Sequence, residues 1–253
     1  MKKIQTFIYL MSFSALSYAA NQSIDSFNKA KRILDQQVYQ DHRETLYCNA
    51  KFDSKKYITP SEGFATTKYI KRSKKVEWEH VVPAENFGRT FVEWREGDKQ
   101  CIDRKNKAFK GRKCAEKVNK EYRYMQADMF NLYPAIGAVN AMRSNYNFTM
   151  LPGEKSMFGS CEMKITDRKA EPPVSARGRV ARTYLYMEEA YSRYKMSSQQ
   201  KQLMNAWDKM YPVNDWECTR AKRIEKLQGN KNNIVLSRCE LNERQTKAVL
   251  SLR

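Results

Sequence analysis

The stretch Val76-Glu77-Trp78-Glu79-His80-Val81-Val82-Pro83-Ala84-Glu85-Asn86 alternates apolar and acidic side chains, reaches one of only two histidines, and is closed by a proline. This alternation predicts a strand over 75–80, with Val76, Trp78 and His80 on one face and Glu77 and Glu79 on the other. Pro83 cannot donate to a ladder, so pairing is expected to stop there and to leave His80 at the rim of a short ribbon. Glu79 and His80 then reach one site only if the backbone bends or twists at the strand end.

A second unusual block runs from Tyr124 to Asn140. Pro134 fits the first turn of a helix, where its missing N–H is not needed, and this puts Asn131 just ahead of that helix. Asn140 and Arg143, three apart, share a face beside the apolar set Leu132, Ile136, Val139 and Met142.

Around these blocks the pattern is mostly helical. Apolar spacing predicts helices over 20–40, 180–194, 198–210 and 216–227, the third capped by Ser197 or Ser198 and stopped by Pro212, the last ended by Gly229. Short strands are expected near 46–52 and 69–70, and an irregular stretch over 153–178. Residues 99–119 are strongly basic and read equally as a solvated loop or as a basic flap over a polyanion. No half of the chain carries a self-sufficient set of elements, so a single α+β domain over 20–253 is expected.

Lys2 and Lys3, the apolar run 4–16 and Ser17-Tyr18-Ala19 form an export signal with cleavage after Ala19. The run is shorter than the roughly 20 residues that span a bilayer. An exported monomer without stable membrane association is therefore expected. All six cysteines follow the signal, which points to disulfides rather than to a zinc cluster, since there is no Cys-x-x-Cys. Many connectivities are possible. Cys101 with Cys114 and Cys218 with Cys239 each flank a short polar segment, which leaves Cys48 with Cys161.

The formal charge is +19, and without Lys2 and Lys3 the remaining 45 basic and 28 acidic residues leave +17. Such an excess attracts polyanions, with nucleic acid as the leading class and anionic envelope lipid or polysaccharide as alternatives. Phosphodiester hydrolysis needs a base near neutral pKa and a hard cation for the charge growing on phosphate. Histidine is the natural base, and carboxylate and amide oxygens are natural magnesium ligands. His80, Glu79 and Asn131 supply those types. The other histidine, His42, lies in a polar run and reads as a surface residue; Trp78 and Trp216 read as core, and Glu77 as the partner of a nearby lysine.

Glu79-His80-Val81-Val82-Pro83-Ala84, Asp128-Met129-Phe130-Asn131-Leu132-Tyr133-Pro134-Ala135 and Arg143-Ser144-Asn145-Tyr146-Asn147-Phe148 together resemble the bacterial endonuclease I family of exported, disulfide-containing nucleases. The resemblance extends to Trp216-Glu217, Arg223-Ile224 and Gln228-Gly229-Asn230. It implies a mostly helical, disulfide-stapled α+β body with a ββα-metal (His-Me finger) motif. His80 would be the general base, and Glu79 and Asn131 would bind one Mg2+, with Ca2+ or Mn2+ as alternatives. DNA and RNA would be cut with little sequence preference, leaving 5′-phosphate ends. An arginine that grips the scissile phosphate is also implied, for which Arg95 and Lys99 are the local candidates. Asn140 and Arg143 stand as substrate-contacting or supporting groups. The competing expectation is a non-catalytic, basic nucleic-acid-binding envelope protein.

Overall fold

A computed structural model describes residues 20–250 of the chain; the expected leader, 1–19, lies outside the described residues. The first helix, α1 (Phe27–Ile33), is capped by Ser26, whose hydroxyl accepts from the Lys29 amide, and runs on as a π-helical turn over Leu34–Val38. The expected helix from residue 20 starts late because Asn21 is used otherwise. Its side-chain amide donates to the carbonyls of Ile24 and Tyr124, pinning an extended lead-in to the body.

The predicted strand near 46–52 contracts to β1 (Lys51–Phe52), which pairs antiparallel with β2 (Ile58–Thr59). Residues 69–70, expected to be extended, instead open the short helix α2 (Ile70–Ser73), because the amides of Arg72 and Ser73 both return to the Tyr69 carbonyl. β3 (Val76–His80) follows as the alternation predicts. After it come α3 (Ala84–Gly88), α4 (Val92–Arg95), α5 (Arg112–Val118) and α6 (Lys120–Gln126).

The segment from Leu132 departs from expectation. Pro134 lies inside a strand, β4 (Leu132–Ile136), paired antiparallel with β3 so that His80 faces Leu132 and Trp78 faces Pro134. A proline is tolerated because this is an edge position of a two-stranded ribbon. The Pro134 carbonyl turns away from β3 and accepts from the Leu46 amide at 2.8 Å. The helix begins only at α7 (Gly137–Arg143). Gly137 makes that junction possible: a Cβ there would sit 2.6 Å from the Arg72 carbonyl oxygen and 2.8 Å from a Glu77 carboxylate oxygen. The result is two antiparallel strands leading directly into a helix, with α3 to α6 inserted between the strands.

The expected irregular stretch contains two strands of a three-stranded sheet: β5 (Asn147–Phe148), just ahead of it, is parallel to β7 (Lys169–Glu171), and β6 (Lys164–Thr166) is antiparallel to β7 on its other side. It also contains the start of α8 (Val174–Ala190), which Pro173 precedes. Helix α9 (Ser198–Met210), capped by the Ser197 hydroxyl, packs on α8. Helix α10 (Asp215–Gln228) is capped by Asn214 and ends on Gly229, whose φ of 83° suits glycine. Helix α11 (Asn233–Leu250) has no counterpart among the expected elements.

The architecture is thus α+β, with short strands in small sheets among eleven α-helices in the described residues. One buried apolar cluster joins Ile24 and Leu34 at one end of the chain to Ile224, Val235 and Cys239 at the other. Three disulfides staple it, Cys48–Cys161, Cys101–Cys114 and Cys218–Cys239, as the spacing suggested. Among the described residues no helix is long and apolar enough to cross a membrane.

Buried polar groups then lock α8 and α10 onto the turn entering β4. Asp128 accepts from the Tyr186 and Tyr191 hydroxyls at 2.7 and 2.6 Å and from Gln228 at 2.9 Å. Arg220 donates to the carbonyls of Met129 and Leu132 at 2.7 and 2.9 Å. Each charged group is buried and hydrogen-bonded, the condition under which burial is tolerated.

Candidate active site

A cleft of about 960 Å3 opens along β3 and is walled by α1, α7 and the first turn of α5. Glu79 and His80, neighbours that point to opposite faces of β3, both line it. The backbone beyond His80 explains how. Arg143, on α7 and wholly buried, donates to the His80 carbonyl at 2.7 Å and to the Val81 carbonyl at 2.6 Å. Asn131 closes on Val82 from the other side, its Oδ1 accepting from the Val82 amide at 2.7 Å and its Nδ2 donating to the Val82 carbonyl at 2.9 Å. The chain is therefore held by side chains where ladder pairing ends.

His80 is largely buried, with its Nε2 2.8 Å from the Gln126 carbonyl oxygen. A carbonyl can only accept, so Nε2 carries the hydrogen and Nδ1 keeps the lone pair. Phe27 on α1 packs its ring 4.8 Å from the imidazole. Burial, and then the Arg112 guanidinium, hold the imidazole pKa down at about 3, against the raising effect of the Gln126 carbonyl. His80 is consequently neutral, and an anion bound beside it in the cleft would raise its pKa toward the near-neutral range that suits a base.

The Glu79 carboxylate is asymmetric. Its Oε1 accepts from the Tyr47 hydroxyl and from Arg143, both at 2.7 Å, whereas Oε2 has no hydrogen-bond partner among the described residues. Burial pushes the carboxyl pKa up, opposed by Arg143 and Tyr47. Burial likewise works against the Arg143 charge, but the Glu79 carboxylate overcomes it and raises the guanidinium pKa. Asn140, half-buried on α7, is oriented in a similar way. Its Nδ2 donates to Glu77 at 2.8 Å, so its Oδ1 is presented without a partner among the described residues.

Several expected roles change. Asn131 is fully buried, holds Val82 with both ends of its amide and does not line the cleft, so its oxygen does not face the space beside Glu79 and His80. Asn140 does line the cleft. Glu77 pairs with Arg72 rather than with a lysine. Arg143 is a buried clasp that does not line the cleft. Arg95 donates to the Arg89 carbonyl and Lys99 borders a separate small cavity, so neither faces His80. Arg112 does face it, from the first turn of α5 two residues before Cys114. The basic segment 99–119 contained that residue, but only its disulfide-anchored helix start singles it out. His42, expected at the open surface, stacks on a half-buried Trp216 at 4.0 Å.

The donor set fits a hard divalent cation. A carboxylate oxygen and an amide oxygen, each with its other atom held by protein, are what Mg2+ accepts while keeping waters and substrate oxygens as remaining ligands. Among the described residues no group of three or more His, Cys, Asp or Glu side chains could form a fuller cage.

Comparison with known proteins places this geometry in context. The sequence model of the Endonuclease I family matches residues 13–238. An extracellular deoxyribonuclease of Aeromonas hydrophila is 39% identical over 234 residues, covering 90% of this chain and 94% of that protein. A periplasmic deoxyribonuclease of the same species is 39% identical over 226 residues, covering 87% and 89%. Endonuclease-1 of Buchnera aphidicola subsp. Acyrthosiphon pisum (strain APS) is 34% identical over 239 residues, covering 92% and 89%.

Proposed function

The chain belongs to the endonuclease I family, and from that premise we propose that it is an exported, metal-dependent endonuclease hydrolysing DNA and RNA phosphodiesters with His80 as general base. It acts in the periplasm or outside the cell, like the relatives named for those places. Residues 20–253 act as one nuclease domain, and β3, β4 and α7 are its ββα-metal motif.

The observation that carries this reading is the division of labour on β3. His80 presents a lone pair at Nδ1 because Nε2 is committed to Gln126, while Glu79 presents Oε2 because Oε1 is committed to Tyr47 and Arg143. Both groups reach one cleft. Arg112 positions the scissile phosphate there. His80 Nδ1 takes a proton from water, the hydroxide oxygen bonds to phosphorus, and the bond from phosphorus to the 3′ oxygen breaks. The 3′ oxygen leaves with a proton from solvent and the phosphate stays on the 5′ side. Glu79 and Asn140 would hold the divalent cation, whose chemistry at this point is compensation of charge on the phosphate and the leaving oxygen. Low sequence preference follows from contacts made to phosphate, which carries no base information.

Supercoiled plasmid incubated with the mature protein and Mg2+ should be nicked and linearised, and excess EDTA should stop it. His80→Ala should bind DNA without cutting it. Plasmid that survives intact with Mg2+ would leave only the non-catalytic binder.

A further inference from the structure

The cleft wall opposite α7 is made by α1, with Phe27, Asn28, Lys31 and Arg32, and by Lys56 from the turn between β1 and β2. Lys31 is half-buried yet has no carboxylate within ion-pair distance among the described residues. Burial and then the positive charges of Arg112 and Lys56 lower its pKa, with only Glu116 acting the other way. The nearest carboxylate of that wall, Asp35, is engaged by Arg43 at 2.8 Å and by Lys56 at 3.7 Å.

One ring ties this wall to the catalytic base. Lys31 Nζ lies 4.5 Å from the Phe27 centroid, Arg112 Cζ lies 5.3 Å from it, and the same ring packs on His80. An aromatic face attracts cations but does not neutralise them. Held together with too few carboxylates, these cations lower the stability of the free protein, and an anion in the cleft relieves the repulsion. The scissile phosphate beside His80 and Arg112 can occupy only one part of a cleft this long.

We propose that Lys31 and Lys56 form a second phosphate subsite, which binds a phosphodiester of the same polynucleotide strand flanking the scissile one, and that Phe27 is a positioning residue that sets Lys31 and Arg112 about His80. This rests on the nuclease reading, which supplies a polynucleotide in the cleft. The N-terminal helix, far in sequence from the blocks around His80 and Asn140, is thereby a substrate-binding element.

The test is equilibrium binding of a short labelled DNA duplex to His80→Ala protein in EDTA, with the association constant followed as a function of NaCl. Each phosphate contact contributes about 0.9 to the slope of log K against log salt. Adding Lys31→Gln should make the slope shallower by about 0.9, and Lys31→Arg should restore it. Lys209→Gln, on an exposed part of α9 remote from the cleft, should leave the slope as it was. Phe27→Leu removes no charge, yet should also flatten the slope, with Phe27→Tyr restoring it. A loss of packing alone would not move a salt slope. An unchanged slope in Lys31→Gln, or a fall equal to that in Lys209→Gln, would overturn the subsite. Metal-dependent plasmid cleavage with an unmoved slope removes the subsite alone; a Lys31-dependent slope in a protein that never cuts DNA removes the nuclease reading and leaves the subsite.

Discussion

Arg143 and Glu79 form a buried ion pair, 2.7 Å apart and with side chains 0% and 3% exposed, and the same guanidinium clasps the carbonyls of His80 and Val81. One side chain from α7 thus orients the carboxylate and bends the backbone that carries the base.

Arg143→Met should unfold at markedly lower urea, with a loss of about 3–5 kcal/mol, because Glu79 loses its buried counter-charge and the carbonyls of His80, Val81 and Tyr146 lose a donor. Arg143→Lys should recover only part of this, since an ammonium lacks the fork that reaches Glu79 and the carbonyls of His80, Val81 and Tyr146 at once. A change below about 1 kcal/mol in urea unfolding would contradict the clasp.

Asn131 and Asn140 should separate in a metal titration. Asn131→Ala removes two hydrogen bonds to Val82 and should cost about 1–3 kcal/mol of stability, with the Mg2+ concentration for half-maximal cleavage unmoved. Asn140→Ala should stay folded and require at least about tenfold more Mg2+. The reverse pattern would return the ligand role to Asn131.

The imidazole of His80, whose pKa burial and Arg112 hold at about 3, should show no titration between pH 8 and 5 in NMR spectra of the metal-free protein. Between about 3 and its ordinary 6.5, the unfolded chain binds a proton there that the native protein does not. Stability from this group therefore falls as pH drops through that window, and urea midpoints should follow. A His80 resonance titrating near 6.5 would show an exposed ring.

Removing the Cys101–Cys114 bridge, which closes a sequence separation of 13 residues, should cost about 2–4 kcal/mol. It also frees the helix start bearing Arg112. A double serine variant, assayed at a temperature where it remains folded, should show a higher KM for DNA. An unaltered KM would separate Arg112 from the bridge.

Local signals were enough for some elements. Helix α9 begins and ends where a serine cap and a following proline say it must, and β3 ends at His80 as its alternation predicts, starting one residue later than expected. Pro134 suits a helix start and an edge strand equally well, and only pairing with β3 selects the strand. Arg112 was one basic residue among many until α5 and its disulfide set it against His80.

The sequence by itself pointed to an export signal and to a disulfide pairing, and determined the basic charge and the presence of a histidine beside a glutamate near a strand end. These depend on composition and short-range pattern. Tertiary structure alone decided which amide turns its oxygen to the cleft, which arginine faces His80, and that α1 walls the cleft. The physical reason is that an Asn or Arg can satisfy backbone or ligand equally well. The choice falls to whichever carbonyls and amides long-range packing brings within about 3 Å, as Val82 is brought to Asn131 and Glu77 to Asn140.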